Sequence, residues 1–284
     1  MALKSYEIAV PTPLPSKAMD TDEGLFGPRS VTWRLHSDPS MLVGGLRALL
    51  VHALHPLAMA GVDQHSDYRT DPWGRLRRTT EYVMTATFGS TAAAEAAGRR
   101  VRAVHATVEG TDTVTGSHYA ADDPELLGWV HNVLVHSFLT AYRRYGGSLS
   151  DAEADRYVAE MVEMAMLVGT DPRHVPHDLD GLRSWLRAVE GLRVTPAARA
   201  GARTILAPPL PVALRPVWAV PAGAAIGLLP RRLRDMYGLG WMAPVGPGVR
   251  VTTTALLRAA RLVLPEPPPV REAHARLALH GVQR

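Results

Sequence analysis

Apolar side chains recur at steps of three or four along most of the chain and almost nowhere alternate. Leu42, Leu46, Leu49, Ala53 and Leu57 form such a row, the spacing of one helical face, and predict a first helix over roughly 39–60. Four Asp-Pro pairs punctuate the sequence: Asp38-Pro39, Asp71-Pro72, Asp123-Pro124 and Asp171-Pro172. An aspartate carboxylate accepts from the orphan amides of a first turn, and proline suits the first helical position, where no donor is needed. Helices are therefore expected from Pro72 to Gly89, from Ser90 to Gly110, and from Pro124 to Gly146-Gly147. Another runs from Ser150, with its capping partner Glu153, to Gly169. Thr195-Pro196 opens a further one, and beyond residue 205 short helices are expected near 230–237, 251–263 and 270–280. No alternating strand, fixed-period repeat or Gly/Ser linker is read. The expectation is an all-α fold: an N-terminal arm over 1–26, a single helical domain over 27–240, and a helical extension over 241–284 packed on it.

Composition narrows the function. Of 284 residues 46% are hydrophobic and 20% charged, which suits a sizeable core and not a disordered chain. The net charge of +4 comes from scattered arginines, with lysine confined to Lys4 and Lys17. A nucleic-acid protein would cluster its cations, so no nucleic-acid partner is expected. The absence of cysteine excludes disulfides, thiolate-ligated haem and cysteine nucleophiles, and leaves the 12 histidines as ligands for a transition metal. No apolar export segment is read near the N-terminus, which predicts a cytoplasmic protein. The apolar stretch 205–229 carries Arg215 and five prolines, and is expected to be a broken, packed helical hairpin in preference to a membrane contact.

Several residue groups carry chemistry. Arg102 and His105 lie three apart, neighbours on one helical face beside Val101, Val104 and Val108. Such a histidine can aim a neutral ring at a metal in an apolar pocket, or it can be half-buried beside a solvated arginine. Arg75, Arg77, Arg78 and Thr79 fall early in a helix, where the dipole repels cations, so an anion is expected nearby. It can be a ligand, or Asp67, Asp71 and Glu81. His65-Ser66-Asp67 offers two legs of a non-haem iron triad, but such sites belong on strands; pocket lining or loop pairing is the expected role. His52 and His55, one turn apart, read as a polar core pair. His131 and His136, five apart, face different ways, with His131 directed inward. No phosphate loop, zincin motif or hydrolase elbow is present.

These fragments stand in a familiar order: Gly27-Pro28-x-Ser30, Trp33-Arg34, Gly45-Leu46-Arg47-Ala48-Leu49-Leu50, His55-Pro56, His65-Ser66-Asp67, Asp71-Pro72-x-Gly74-Arg75-Leu76, Arg78-Thr79, Val101-Arg102-x-Val104-His105 and Trp129-x-His131. Over roughly residues 27–235 the chain resembles the MpaB-like oxygenases, a family shared with the latex-clearing rubber oxygenases. The resemblance implies a helical fold around haem b, with the axial histidine of an Arg-x-x-His pattern at His105 and an upstream Arg-x-x-x-Thr at Arg75 and Thr79. The chain departs from the rubber oxygenases at Arg78, where they carry lysine, and no counterpart of their glutamate base is identified. The expected protein is an oxygenase binding haem b through His105, with dioxygen as co-substrate on the opposite side and a small hydrophobic substrate. Arg75, Arg78 and Thr79 are the expected catalytic residues, and Arg102, His65 and His131 line or support the cofactor. A homo-oligomer is compatible with this reading. The alternatives are a haem-binding or haem-sensing module without turnover, and a helical scaffold without cofactor.

Overall fold

The computed structural model describes residues 22–279, whose regular secondary structure is almost wholly helical. Thirteen α-helices are present among them: α1 (Val31–His36), α2 (Met41–His52), α3 (Pro56–His65), α4 (Pro72–Phe88), α5 (Thr91–His105), α6 (Pro124–Ala141), α7 (Asp151–Leu167), α8 (Leu179–Ala188), α9 (Pro196–Leu206), α10 (Arg215–Gly227), α11 (Arg231–Met236), α12 (Gly246–Val263) and α13 (Pro268–Leu279). Most of the expected arm, 1–21, lies outside the described residues.

The helix expected over 39–60 is two helices. His55 precedes Pro56 and adopts an extended conformation (φ −82°, ψ 114°), because the proline ring disfavours helical geometry in the residue before it. Pro56 then starts α3, bent 103° from α2. Of the expected row Leu46 and Ala53 are buried and Leu42 is 44% exposed, while Val43, Leu50 and Leu54, each one position beyond an expected one, are buried as well. The helix expected to reach Gly110 ends at His105, and a two-stranded antiparallel hairpin follows, β1 (Glu109–Thr111) paired with β2 (His118–Ala120). Three residues per strand are too short to display alternation, which is why no strand was legible. Asp71 and Asp123 cap α4 and α6, and Asp171 caps a short 3₁₀ turn. The Asp38 carboxylate accepts from the amide of Ser40, the N-cap residue of α2, at 2.8 Å and from no amide inside the helix. It forms an ion pair with Arg261 of α12 at 2.7 Å.

Two apolar cores share α6. One packs α1, α4, α5, α7 and α8 around Leu139, Tyr157, Met161 and Leu182. The other packs α2, α9, α10 and α12 around Leu50, Trp129, Val133 and Ile226. Burial on nearly every side explains why α6 is apolar almost all round. At the seam sits Arg47, only 3% exposed and without an acidic partner among the described residues. Its guanidinium donates to the Leu228 carbonyl (3.1 Å), Ser137 Oγ (2.6 Å) and His136 Nδ1 (3.2 Å). Arginine cannot accept, so His136 Nδ1 is the unprotonated nitrogen. Burial pushes the Arg47 pKa down to about 10 and that of His136 down to about 3.

Helix α5 is held against α7 by a close backbone approach. A Cβ built on Gly98 would lie 2.5 Å from the Leu167 carbonyl oxygen. Arg102, one turn on, donates to the same carbonyl and so caps the end of α7. Gly98→Ala should therefore wedge the two helices apart. A loss of about 1–3 kcal/mol is expected in chemical denaturation, and an unchanged midpoint would show that the seam yields freely.

Candidate active site

The first turns of α4 bring Arg75 near the last residue of α2 and the last residue of α5, and α2 is bonded there to α6; this shared region is the candidate recess. His52, the last residue of α2, shares a hydrogen bond of 2.9 Å with the Val130 carbonyl of α6. Trp129 Nε1 donates back to the His52 carbonyl at 3.3 Å. The Arg75 guanidinium of α4 lies close enough to both His52 and His105 to depress their pKa values. Arg75 is exposed to solvent, although protein crowds around its guanidinium. Val130, 44% exposed between the buried Trp129 and His131, presents apolar surface at this point of α6.

The charges of α4 are sorted. Arg78 is drawn onto Asp67 at 2.6 Å, with Asp71 at 3.6 Å, and Arg77 pairs with Glu81 one turn on. Arg75 forms neither ion pair nor side-chain hydrogen bond among the described residues. Its pKa is lowered by burial and by Arg78, with Asp67 opposing. The neighbouring carboxylates thus satisfy two of the three arginines, and the one left over faces the histidines.

His105 has the other unmet valence. Its Nδ1 is buried and has no hydrogen-bond partner, and Nε2 carries no hydrogen bond either. A buried ring nitrogen without a partner forfeits its hydration, a penalty of about 1–3 kcal/mol. Burial first, then Arg75, lowers the His105 pKa, with Asp122 opposing. The ring is neutral at neutral pH and keeps a lone pair for a Lewis acid. His52 is pushed down to about 4 by burial, assisted by Arg75, and His131 to about 4 by burial alone.

The residues singled out in the sequence are divided by the fold. Arg75 lies near enough to His105 to act on it electrostatically. Thr79 sits one turn beyond Arg75, and its hydroxyl donates to the Arg75 carbonyl at 3.1 Å. His131 is buried beside Val130. Arg78 is bound to Asp67 and Arg102 to the end of α7. His65 is exposed and shares a hydrogen bond with the Glu109 carbonyl of β1 at 3.0 Å. His55 caps α3 and stacks near Trp129, 5.5 Å between centroids. Val104, expected on an apolar stripe, is 59% exposed, and α5 buries Ala94, Ala97 and Gly98 in its place. His52 was read as half of a polar core pair. Its contact with Val130 joins residues 78 apart, which no local pattern signals. Tyr82, on α4 one turn past Thr79, buries an unpartnered hydroxyl and is pushed up to about 12 by burial. Among the described residues no three His, Asp or Glu side chains converge as a metal site, so neither His65-x-Asp67 nor His52-x-x-His55 belongs to such a cluster.

The family profile of the ER-bound oxygenase mpaB/B'/rubber oxygenase catalytic domain matches residues 33–262. The chain belongs to this family. It is an oxidoreductase of the oxygenase class, and the matched span runs from α1 through α12 and contains every residue of the recess. No curated protein and no solved structure matches the chain.

The neutral histidines set the acid response of the fold. His52 and His131 titrate near 4 in the folded chain against an ordinary 6.5, so between pH 6.5 and 4 the unfolded chain binds more protons. The stability they permit is complete above pH 6.5 and falls as pH drops towards 4. Denaturant titrations across this range should show that decline, and His131→Gln should make it shallower. A wild-type stability flat from pH 6.5 to 4 would contradict the neutral assignment.

Proposed function

We propose that the chain is a haem b-dependent oxygenase acting on a small hydrophobic molecule, with His105 as the axial iron ligand. The observation that carries this reading is the buried, unpartnered ring nitrogen of His105 beside an arginine with no acidic partner. These two unmet valences match the two polar features of haem. Iron takes a neutral imidazole, and the propionates are carboxylates that an unpaired arginine favours. When bound, haem supplies the activation of dioxygen.

The residues of the chain do the rest. Burial, assisted by Arg75, favours the neutral form of His105, so that its lone pair is not lost to a proton, and Arg75 offers positive charge to an anionic group in the recess. His52, pinned by the Val130 carbonyl, is a fixed neutral ring. The Thr79 hydroxyl, now turned to the Arg75 carbonyl, keeps an acceptor lone pair. Arg78 acts indirectly by occupying Asp67 and Asp71. Arg102 positions α5, and with it His105, against α7. The apolar surface at Val130 suits a hydrophobic substrate over a charged one.

An absorption spectrum of protein produced with haem supply tests the ligand. Wild type should show a strong Soret band, and His105→Ala should lose it or shift it markedly. A colourless wild type, or an unchanged band in His105→Ala, would overturn the assignment. Arg75→Gln should keep the band while lowering oxygen uptake with an apolar alkene panel by roughly tenfold or more. Unaltered uptake would remove Arg75 from the chemistry.

A further inference from the structure

A second concavity lies away from this recess. It is a cleft of about 760 Å³ between the C-terminal half of α10, the N-terminal half of α12 and the π-helical turn that ends α6 (Tyr142–Gly146). That volume is in the roughly 300–1,000 Å³ range of small-molecule sites. It shares no residue with the recess, which α10 reaches only at its other end, where Trp218 packs on Trp73 of α4.

Its lining is chemically one-sided. Four arginines, Arg144, Arg234, Arg250 and Arg258, line it, and no aspartate or glutamate does. None of the four forms an ion pair among the described residues. Asp235, next to Arg234 in the chain, pairs with Arg231 at 3.7 Å, and Asp38 pairs with Arg261 at 2.7 Å. Arg144, Arg250 and Arg258 are exposed at the rim, whereas Arg234 is half-buried and its Nε has no partner at all. The rest of the wall is apolar and includes Ile226, Leu228 and Val249. Four like charges thus line an apolar cleft, and none of them has an acidic partner among the described residues.

We propose that this cleft binds an amphiphilic anion, a carboxylate or phosphate head on an unbranched apolar tail. Arg234 receives the head, the rim arginines add charge, and the tail lies on the apolar wall. Guanidinium forks suit both head groups. The site is separate from the haem reading and stands whether or not His105 binds iron.

Isothermal titration of the full chain with dodecanoate, dodecyl phosphate, dodecanol and inorganic phosphate tests it. The two amphiphilic anions should bind at least about tenfold more tightly than either the neutral alcohol or the free anion. Arg234→Gln with Arg258→Gln should weaken them by about tenfold or more. Because those changes touch the fold, a second variant is informative. Gly227 lines the cleft, and a Cβ there meets nothing within 4 Å. Gly227→Leu should fill the site and abolish binding with an unchanged helical circular dichroism spectrum and thermal midpoint. Flotation with phosphatidylcholine vesicles containing phosphatidic acid separates the sources. Flotation lost in Gly227→Leu assigns the head to a bilayer lipid, and absence of flotation with retained dodecanoate binding assigns it to a soluble amphiphile. Equal affinity for dodecanol, equal affinity for phosphate alone, or undiminished binding in Gly227→Leu would overturn the proposal.

Discussion

The site depends on how α4 disposes of its arginines. Three cations within four residues stand at the positive end of a helix, an unfavourable arrangement unless each meets an anion. Asp67 and Asp71 take Arg78, and Glu81 takes Arg77. No carboxylate is left for Arg75, which points its charge at His52 and His105. Burial already favours the neutral form of the imidazoles, and the unpaired Arg75 reinforces this at His52 and His105 and adds positive charge to the recess. Such a recess favours an uncharged ligand atom for a metal and, nearby, a negatively charged group.

The helix that carries His105 has little side-chain grip of its own. It buries alanines and a glycine, so its position is fixed by backbone approach more than by apolar volume. Gly98 lets α5 close on the end of α7, and Arg102 fastens the same carbonyl. α5 also packs along α4, and its Ala94 joins the core that holds Val83 and Ala86. On the other side, α2 is tied to α6 and α10 by the buried guanidinium of Arg47, which fixes where His52 ends. Both histidines are placed by arginines that take no part in the recess, and this gives the scattered arginines of the composition a structural office.

Much of the architecture was legible because its signals are local. Asp71-Pro72, Asp123-Pro124 and the Ser150–Glu153 box each mark a helix start within four residues, and all three act as caps in the fold. What was missed depends on distance or on competing local terms. The row from Leu42 to Leu57 continues the helical period through Pro56, yet the proline overrides periodicity and turns the chain by 103°. The aspartate of Asp38-Pro39 is claimed by Arg261, more than two hundred residues away. In the site, the pairing of Arg78 with Asp67 was readable as one of two options, but which arginine would be left unpaired was not, because the choice is made by side-chain direction. His105 stood out through its Arg-x-x-His spacing, whereas the partner of that motif, Arg102, turns to the backbone of α7. His52 had no signal, since its role arises from a contact with α6.

The most direct measurement is resonance Raman spectroscopy of the ferrous, haem-loaded protein. An iron–histidine stretching band is expected in wild type, absent in His105→Gly, and replaced by an iron–imidazole band when free imidazole is added to that variant. A band that survives unchanged in His105→Gly, or a wild type with none, would contradict the assignment of His105 as the ligand.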